Sequence, residues 1–430
     1  MNAGGPHRST LSGISKMSQL RVAFVVQRYG LEVNGGSETL CRMIAERMAR
    51  FHQVEVLTTR AVDYVTWQDE YPEGIENVNG IRIRRFGVDH PRDQQQFDAI
   101  SGVVFGGPHT PADEVEWMKK QGPYSSRLLA HLEANRETYD VFVFFTYLYC
   151  TTYFGLPLVK DRAILVSTCH DEPPIYLGIF DDLFRQVRQF VYLTPEERAF
   201  AQRRFYDCNL EGEVIGIGVD PVAVLPPDPE WERIRERLGD SDFILYVGRI
   251  DESKGCKSLI EYFTRYVQET EQPSLKLIMV GKAVMPIPGH PQLIATGFVS
   301  ETTKFHAIQA SRFMIAPSPY ESLCMSILES WLLKRPVLSN GDCRVLRGQC
   351  QRSNGGLWYS DYETFKEATM LLLEDRDLAG VLGEQGYDFV QRNCIWSQVD
   401  RKYLEMFSSL VGKSAQHTSP APSPVMGARR

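Results

Sequence analysis

The stretch FILYVGRIDESKGCKSLIEYF, Phe243 to Phe263, joins a short apolar run to a polar loop and then to a longer mixed segment. The run FILYV is rich in aromatic and β-branched residues, which favours a buried β-strand. The segment after Gly255 is predicted to be helical, so Arg249 and Lys254 lie in a loop between a strand and a helix. This strand–loop–helix unit indicates an α/β domain.

The same alternation extends from this stretch in both directions. Further strands are predicted at LKLIMVG, QLIATGF, FMIAPS and PVLSNG downstream, and at LRVAFVVQ, QVEVLTT, DVFVFFTYL, RAILVST and QFVYLT upstream. Continuous apolar strands separated by helices are typical of a parallel sheet covered on both faces. The sequence therefore predicts two Rossmann-like, doubly wound parallel-sheet domains that face a cleft, where ligands commonly bind.

A Pro-rich stretch, PVAVLPPDPEWE, divides the two series of strands and indicates a linker. We predict an N-terminal domain over 20–220, a linker over 221–240 and a second domain over 241–395. The polar leader, 1–19, and the low-complexity tail, 413–430, are predicted to be disordered.

Composition excludes several classes of function. The chain has 430 residues and a net charge of -7, which argues against a nucleic-acid partner because phosphate binding favours a basic surface. Nine cysteines without CxxC spacing indicate free thiols in a reducing cytoplasm, and no zinc site is predicted. The uncharged segment from Val141 to Val159 approaches the length of a membrane span, but its threonines, glycine and proline favour a buried strand followed by a short helix.

Three loops after predicted strands carry candidate chemistry. In QRYGLEVNGGSE, Gly35 and Gly36 precede a helix, where close backbone approach and free N–H groups suit an anion; a plain turn with Ser37 as N-cap is the alternative. Arg249 and Lys254 suit a diphosphate, and the alternative is a solvated loop with Asp251 and Glu252 as partners. His170 suits acid–base chemistry or a contact with a sugar hydroxyl, although a lone histidine is more often structural.

The segment PYESLCMSILESW, Pro319 to Trp331, places Glu321 and Glu329 eight positions apart, with Pro319 and Glu321 at the expected helix start. In one helix they would be separated by about 12 Å along the axis. A glycosidase-type pair needs about 5–9.5 Å, so the spacing suits two contacts on an elongated ligand or an ordinary buried helix. Two acidic DxD patterns are predicted to be turns and helix caps, so no metal site is expected.

Taken together, these motifs resemble the GT-B-fold retaining glycosyltransferases of family 4, also called glycosyl transferase group 1. The resemblance covers about Leu20 to Leu410. It rests on the motifs GGSE, HD, GIGVD, GR with KG, GFVS and SPYESLCMSILES, the last of which matches the family's Glu-x7-Glu pattern.

The resemblance implies a role for each matching residue. Glu321 lies near the donor sugar, Glu329 holds the ribose hydroxyls, and Arg249 and Lys254 bind the diphosphate. The remaining donor-site residues that it implies are Gly35, Gly36, Gly297, Phe298, Val299, Ser322, Leu323 and Cys324. The backbone at 297–299 is expected near the nucleobase. This sequence departs from the family at Leu323-Cys324, where family members often have Phe-Gly. A final helix over 396–412 is expected to cross back onto the first domain.

The expected activity is hexosyl transfer from a nucleotide diphosphate sugar to a glycan or lipid-linked acceptor, with retention and without a bound metal or cofactor. The expected setting is cell-surface polysaccharide, lipopolysaccharide or glycolipid synthesis. A sugar-nucleotide epimerase and a catalytically silent homologue that acts as a binding partner are the alternatives. Basic residues of the first domain, among them Arg82 and Lys119, allow a peripheral contact with the inner face of a membrane, and a solvated surface is the alternative that so few charges favour.

Overall fold

The computed structural model describes residues 19–33, 35–222 and 224–417, with side chains up to Gly412. The predicted leader, except Gln19, and most of the predicted tail lie outside these ranges. Within them, the chain forms one eight-stranded and one six-stranded sheet.

Over the described part of the first domain, the strands are β1 (Arg21–Val25), β2 (Gln53–Thr59), β3 (Gly74–Val78), β4 (Ile81–Phe86), β5 (Val141–Phe145), β6 (Ala163–Val166), β7 (Gln189–Tyr192) and β8 (Gly212–Val214). They lie in the order β3-β4-β2-β1-β5-β6-β7-β8. All neighbouring strands are parallel except β3 and β4, which are antiparallel. The helices are α1 (Gly36–Met48), α2 (Gln94–Gly106), α3 (Pro111–Gln121), α4 (Ser126–Ala134), α5 (Cys150–Tyr153), α6 (Gly178–Gln186) and α7 (Pro195–Arg204).

The second domain begins with a helix, and its sheet is parallel throughout the described residues. Its strands are β9 (Phe243–Val247), β10 (Lys276–Val280), β11 (Leu293–Gly297), β12 (Met314–Ala316), β13 (Val337–Asn340) and β14 (Gly356–Tyr359). They lie in the order β11-β10-β9-β12-β13-β14. The helices are α8 (Pro229–Leu238), α9 (Cys256–Glu269), α10 (Glu301–Ala310), α11 (Met325–Leu332), α12 (Arg344–Ser353), α13 (Tyr362–Glu374), α14 (Arg376–Asn393) and α15 (Trp396–His417).

The strands have the burial that their composition predicts. Every residue of β5 and β6 is buried, because helices cover both faces of the first sheet. The uncharged segment beginning at Val141 is β5 followed by the short α5, as predicted, and among the described residues no helix is long and apolar enough to cross a membrane.

Two element boundaries differ from those predicted. Helix α8 occupies much of the predicted linker, because Asp228 caps its first turn and Trp231 packs into the second domain. Helix α11 begins at Met325, so the expected helix start at Pro319 and Glu321 is wrong: Glu321 lies in the loop after β12.

The last helix, α15, lies against the first domain. Lys402 Nζ donates a hydrogen bond to the carbonyl oxygen of Val214, 2.7 Å away. Asp400 forms an ion pair with Arg47 of α1, and the Arg47 guanidinium lies 4.8 Å from the centre of the Trp396 ring. The first and the last described elements, β1 and α15, therefore both pack in the first domain.

Candidate active site

Lys254 and Glu321 meet where two neighbouring strands of the second sheet end. Parallel β9 and β12 are adjacent, so the loops that follow them emerge at the same edge. Lys254 Nζ lies 2.6 Å from Glu321 Oε1. Burial alone would lower the pKa of Lys254, but the Glu321 carboxylate outweighs it and the pKa is raised. The solvated-loop alternative gave Arg249 and Lys254 partners in Asp251 and Glu252, whereas the partner of Lys254 in the structure is Glu321, 67 residues away in sequence.

A left-handed glycine lets these two loops pack closely. Gly255 has φ = 74°, and a Cβ there would lie 2.3 Å from the carbonyl oxygen of Pro317. Only glycine adopts this conformation easily and leaves room for the second loop. Gly255 thus holds the Lys254 loop against the segment that leads to Glu321.

Arg249 contacts the first domain as well as its own loop. Its Nε lies 2.9 Å from Asp251 Oδ2, the partner that the solvated-loop alternative predicted. Its guanidinium also lies 4.7 Å from the centre of the Tyr64 ring, and the Arg28 guanidinium lies 5.6 Å from the same ring. Tyr64 therefore joins Arg249 to the first domain across the cleft.

Glu329 lies within α11 and is paired with a lysine from α10. Lys304 Nζ lies 2.8 Å from Glu329 Oε1 and 2.8 Å from Glu301 Oε2. Burial raises the pKa of the Glu329 carboxyl, and Lys304 offsets only part of that effect. Glu321 and Glu329 thus have separate cationic partners.

The N-terminus of α11 faces the loop that carries Glu321. Cys324 is the N-cap residue and its side chain makes no capping hydrogen bond. Burial raises the pKa of the Cys324 thiol to about 12, so the thiol is neutral at physiological pH. The carbonyl oxygen of Ser322 accepts a hydrogen bond from Thr194 Oγ1 of the first domain, 3.1 Å away, and Leu323 is half-buried in the same loop.

The segment at the end of β11 combines a left-handed glycine with an exposed ring. Gly297 has φ = 76° and Val299 is buried. Phe298 between them is 67% exposed. Exposed aromatic rings beside a left-handed glycine suit stacking against a planar group.

In the first domain, His170 follows β6 and lies against a residue of the second domain. Its ring stacks on Tyr320, with centroids 6.0 Å apart. Its Nε2 lies 3.2 Å from Glu172 Oε1, which also accepts a hydrogen bond from Tyr147 Oη at 2.6 Å. Burial alone would lower the pKa of His170, but Glu172 outweighs it and the pKa is raised.

The Gly35-Gly36 loop has a packing role at the start of α1. Gly35, not Ser37, is the N-cap residue, so the N-cap assignment of Ser37 is wrong. A Cβ at Gly35 would lie 2.2 Å from Glu38 Oε2, and Glu38 forms a buried ion pair of 2.6 Å with Arg28. Nothing lies within 4 Å of a Cβ built at Gly36.

Sequence reasoning missed three residues of this site. Tyr64 and Lys304 gave no local signal, because their partners lie far away in sequence, whereas Glu172 is only two positions from His170 and could have been included with it. Among the described residues, no group of three or more His, Cys, Asp or Glu side chains could hold a metal ion.

Comparison with known protein families gives a match within the second domain. Residues 228–389 match the family described as Glycosyl transferases group 1. Comparison with curated protein sequences gives no match.

Solved structures match over nearly the whole chain. Sucrose-phosphate synthase from Thermosynechococcus elongatus has a TM-score of 0.69 and 15% identity, covering 92% of this chain and 100% of that one. Anabaena HepE in complex with UDP and glucose has a TM-score of 0.64 and 13% identity, and the match covers 91% of this chain and 100% of that one. The α,α-trehalose 6-phosphate synthase from Burkholderia multivorans has a TM-score of 0.67 and 10% identity, covering 94% and 99%. The chain has the GT-B fold of these proteins, as the sequence predicts.

Proposed function

We propose that this protein is a retaining glycosyltransferase of the family 4 type, which transfers a hexose from a nucleotide diphosphate sugar to a glycan or lipid-linked acceptor. One observation carries the proposal. Lys254 and Glu321 form an ion pair at the carboxyl edge of the second sheet, with Arg249 in the same loop as Lys254 and Glu329 in the helix that follows Glu321, and all four lie within the segment that matches Glycosyl transferases group 1.

Each residue has a role that its chemistry supports. Arg249 and Lys254 bind the diphosphate and stabilise the charge that it gains as it departs. Glu321 positions the donor sugar from the loop beside Lys254. Glu329 accepts hydrogen bonds from the ribose, and the α11 N-terminus, which lacks a side-chain cap, adds its positive end toward the phosphates.

The proposed reaction proceeds on one face of the sugar. The bond between the anomeric carbon and the diphosphate oxygen breaks, the acceptor oxygen bonds to that carbon, and the leaving diphosphate accepts the acceptor's proton. His170 contacts a sugar hydroxyl rather than acting as an essential base. An α-linked donor should therefore give an α-linked product. The NMR coupling constant of the new anomeric proton reports the configuration, and a value that shows a β-linked product would exclude this route.

The donor site can be tested without knowing the acceptor. In a thermal-shift panel of UDP, GDP and ADP, a ligand at 100 times its Kd should add about 2.7 kcal/mol to the free energy of unfolding. UDP deserves the first trial because the HepE structure contains it. A panel in which none of the nucleotides raises the Tm would refute the proposal.

Incubation with the donor that binds separates the proposed activity from its rivals. Slow hydrolysis, or transfer to an added acceptor, supports a transferase. Epimer formation would indicate a sugar-nucleotide epimerase, and an unchanged donor would indicate a silent homologue.

EDTA should leave the turnover unchanged, since the proposed route uses cationic side chains in place of a metal.

A further inference from the structure

Lys304 occupies an enclosed position between two carboxylates. Its side chain is 13% exposed, and its ammonium lies 2.8 Å from both Glu329 and Glu301. The Glu329 side chain is 19% exposed, whereas that of Glu301 is 76% exposed. The pair with Glu329 is therefore the enclosed one, and the pair with Glu301 faces solvent.

The geometry of this pair leaves part of Glu329 available to a ligand. Lys304 contacts Oε1 of Glu329, so the second carboxylate oxygen can accept hydrogen bonds from another group. An ionised carboxylate accepts only, and a protonated one presents a donor instead. Because burial raises the pKa of Glu329, the nearby ammonium decides how readily the carboxylate stays ionised.

The position of Lys304 in the fold connects it to the nucleotide end of the site. It lies in the first turns of α10, which begins four residues after Gly297 at the end of β11. Helices α10 and α11 pack against each other, and the Lys304–Glu329 pair joins them. The Lys304 side chain thus links α10, which follows the segment expected near the nucleobase, to the carboxylate expected at the ribose.

We propose that Lys304 is a positioning residue for donor recognition: it holds the Glu329 carboxylate ionised and oriented so that this carboxylate accepts hydrogen bonds from the ribose hydroxyls. The inference rests on the proposed function and extends it to a residue outside the motifs. It makes ribose recognition depend on a lysine that does not touch the nucleotide.

The test compares ribose discrimination in matched variants by isothermal titration calorimetry. The probes are the tightest-binding nucleoside diphosphate and its 2′-deoxy and 3′-deoxy analogues. The wild type should lose about tenfold in affinity for at least one deoxy analogue, since a hydrogen bond to a charged group is lost. Lys304→Met should bind all three with nearly equal affinity, whereas Lys304→Arg should restore most of the discrimination.

Two controls separate this role from a general effect of removing a charge. Glu301→Gln removes only the solvent-facing partner of Lys304 and should keep the wild-type discrimination. Lys334→Met removes a lysine of the same domain that is paired with Glu384 at 2.8 Å on the surface, and it should also bind as the wild type does. If Lys304→Met does not fold, Lys304→Gln takes its place.

The pH dependence supplies a readout that a merely structural lysine would not change. Without Lys304, the pKa of the enclosed Glu329 should rise further and the carboxylate should protonate more readily, so the discrimination of the Lys304→Met variant should recover as the pH is raised over the titrated range. The groups that face Glu329 in this argument are Lys304 and Glu301. The wild type should change less over the same range because its ammonium favours the ionised carboxylate.

The outcomes distinguish the inference from the proposed function. Full discrimination in Lys304→Met at every pH would overturn the role of Lys304 and leave the donor site intact. Binding by the wild type without any preference for the ribose form would overturn the role of the Lys304–Glu329 pair. Failure of the wild type to bind any nucleoside diphosphate would overturn both proposals together.

Discussion

At the residue scale, Lys254 is the side chain on which the proposed chemistry depends most. Lys254→Ala should reduce the turnover by about 10²–10³-fold, because it removes one of the two cations proposed to stabilise the leaving diphosphate. Thermal unfolding should show a folded variant, since the Lys254 side chain is 32% exposed. Lys257→Ala, an exposed lysine just inside α9, is the matched control and should retain full activity. Normal turnover in folded Lys254→Ala would mean that the donor site lies elsewhere.

A second residue-scale prediction concerns the protonation of His170. Glu172→Gln should lower the pKa of His170, because the carboxylate that outweighs burial is removed. The raised pKa in the folded state means that the charged ring stabilises the fold below about pH 6.5, and that this contribution disappears as the pH rises through the folded pKa. The pKa of Glu172 is lowered in the folded state, so its carboxylate contributes its full stabilisation above its unfolded pKa. The ion pair therefore stabilises the fold most between the unfolded pKa of glutamate and that of histidine.

NMR titration of the His170 imidazole measures this effect directly. The charged groups that act on the ring are Glu172 from its own loop, and Lys254 and Glu321 from the second domain. Asp171→Asn is the control, because the Asp171 carboxylate accepts a hydrogen bond from the Tyr176 hydroxyl at 2.6 Å rather than contacting the His170 ring. An unchanged His170 titration in Glu172→Gln would contradict the assignment.

At the element scale, one enclosed ion pair contributes to the docking of α15 on the first domain. Asp400→Ala should lower the free energy of unfolding of the first domain by about 1–3 kcal/mol. Breaking a fully buried pair costs about 3–5 kcal/mol, and the loss here is smaller because Arg47 is partly exposed. Arg401→Ala on the same helix breaks only the exposed pair with Glu405 and should cost less than about 0.5 kcal/mol. Urea unfolding, followed by a first-domain probe, compares the two variants. Equal effects would show that α15 is held by its apolar face alone.

At the scale of the whole molecule, α7 of the first domain and α12 of the second contact each other across the cleft. Arg352 forms an ion pair with Glu196, and a Cβ at Gly348 would lie 2.2 Å from Glu196 Oε1. Gly348→Leu should therefore displace Glu196 and open the cleft, which would reduce donor-dependent turnover by about tenfold or more through misalignment of the two domains.

Small-angle X-ray scattering should show a larger radius of gyration for Gly348→Leu than for the wild type. Gly380→Leu places the same side chain in α14, where nothing lies within 4 Å of an added Cβ, and should leave both the dimensions and the turnover unchanged. A compact and fully active Gly348→Leu protein would show that this contact does not hold the domains together.

The sequence by itself determined most strands of the two sheets, though not β3, β4, β8 or β14, and the loops that carry the proposed donor-site residues, because strand periodicity and the strand–loop–helix order are local properties. It could not determine that α11 begins at Met325, since the start depends on how the Glu321 loop packs against Gly255 and Thr194. It also could not pair Lys254 with Glu321 or Lys304 with Glu329. Those partners lie on different elements of the second domain, and only the order of strands in its sheet and the packing of α10 against α11 bring their charges within ion-pair distance.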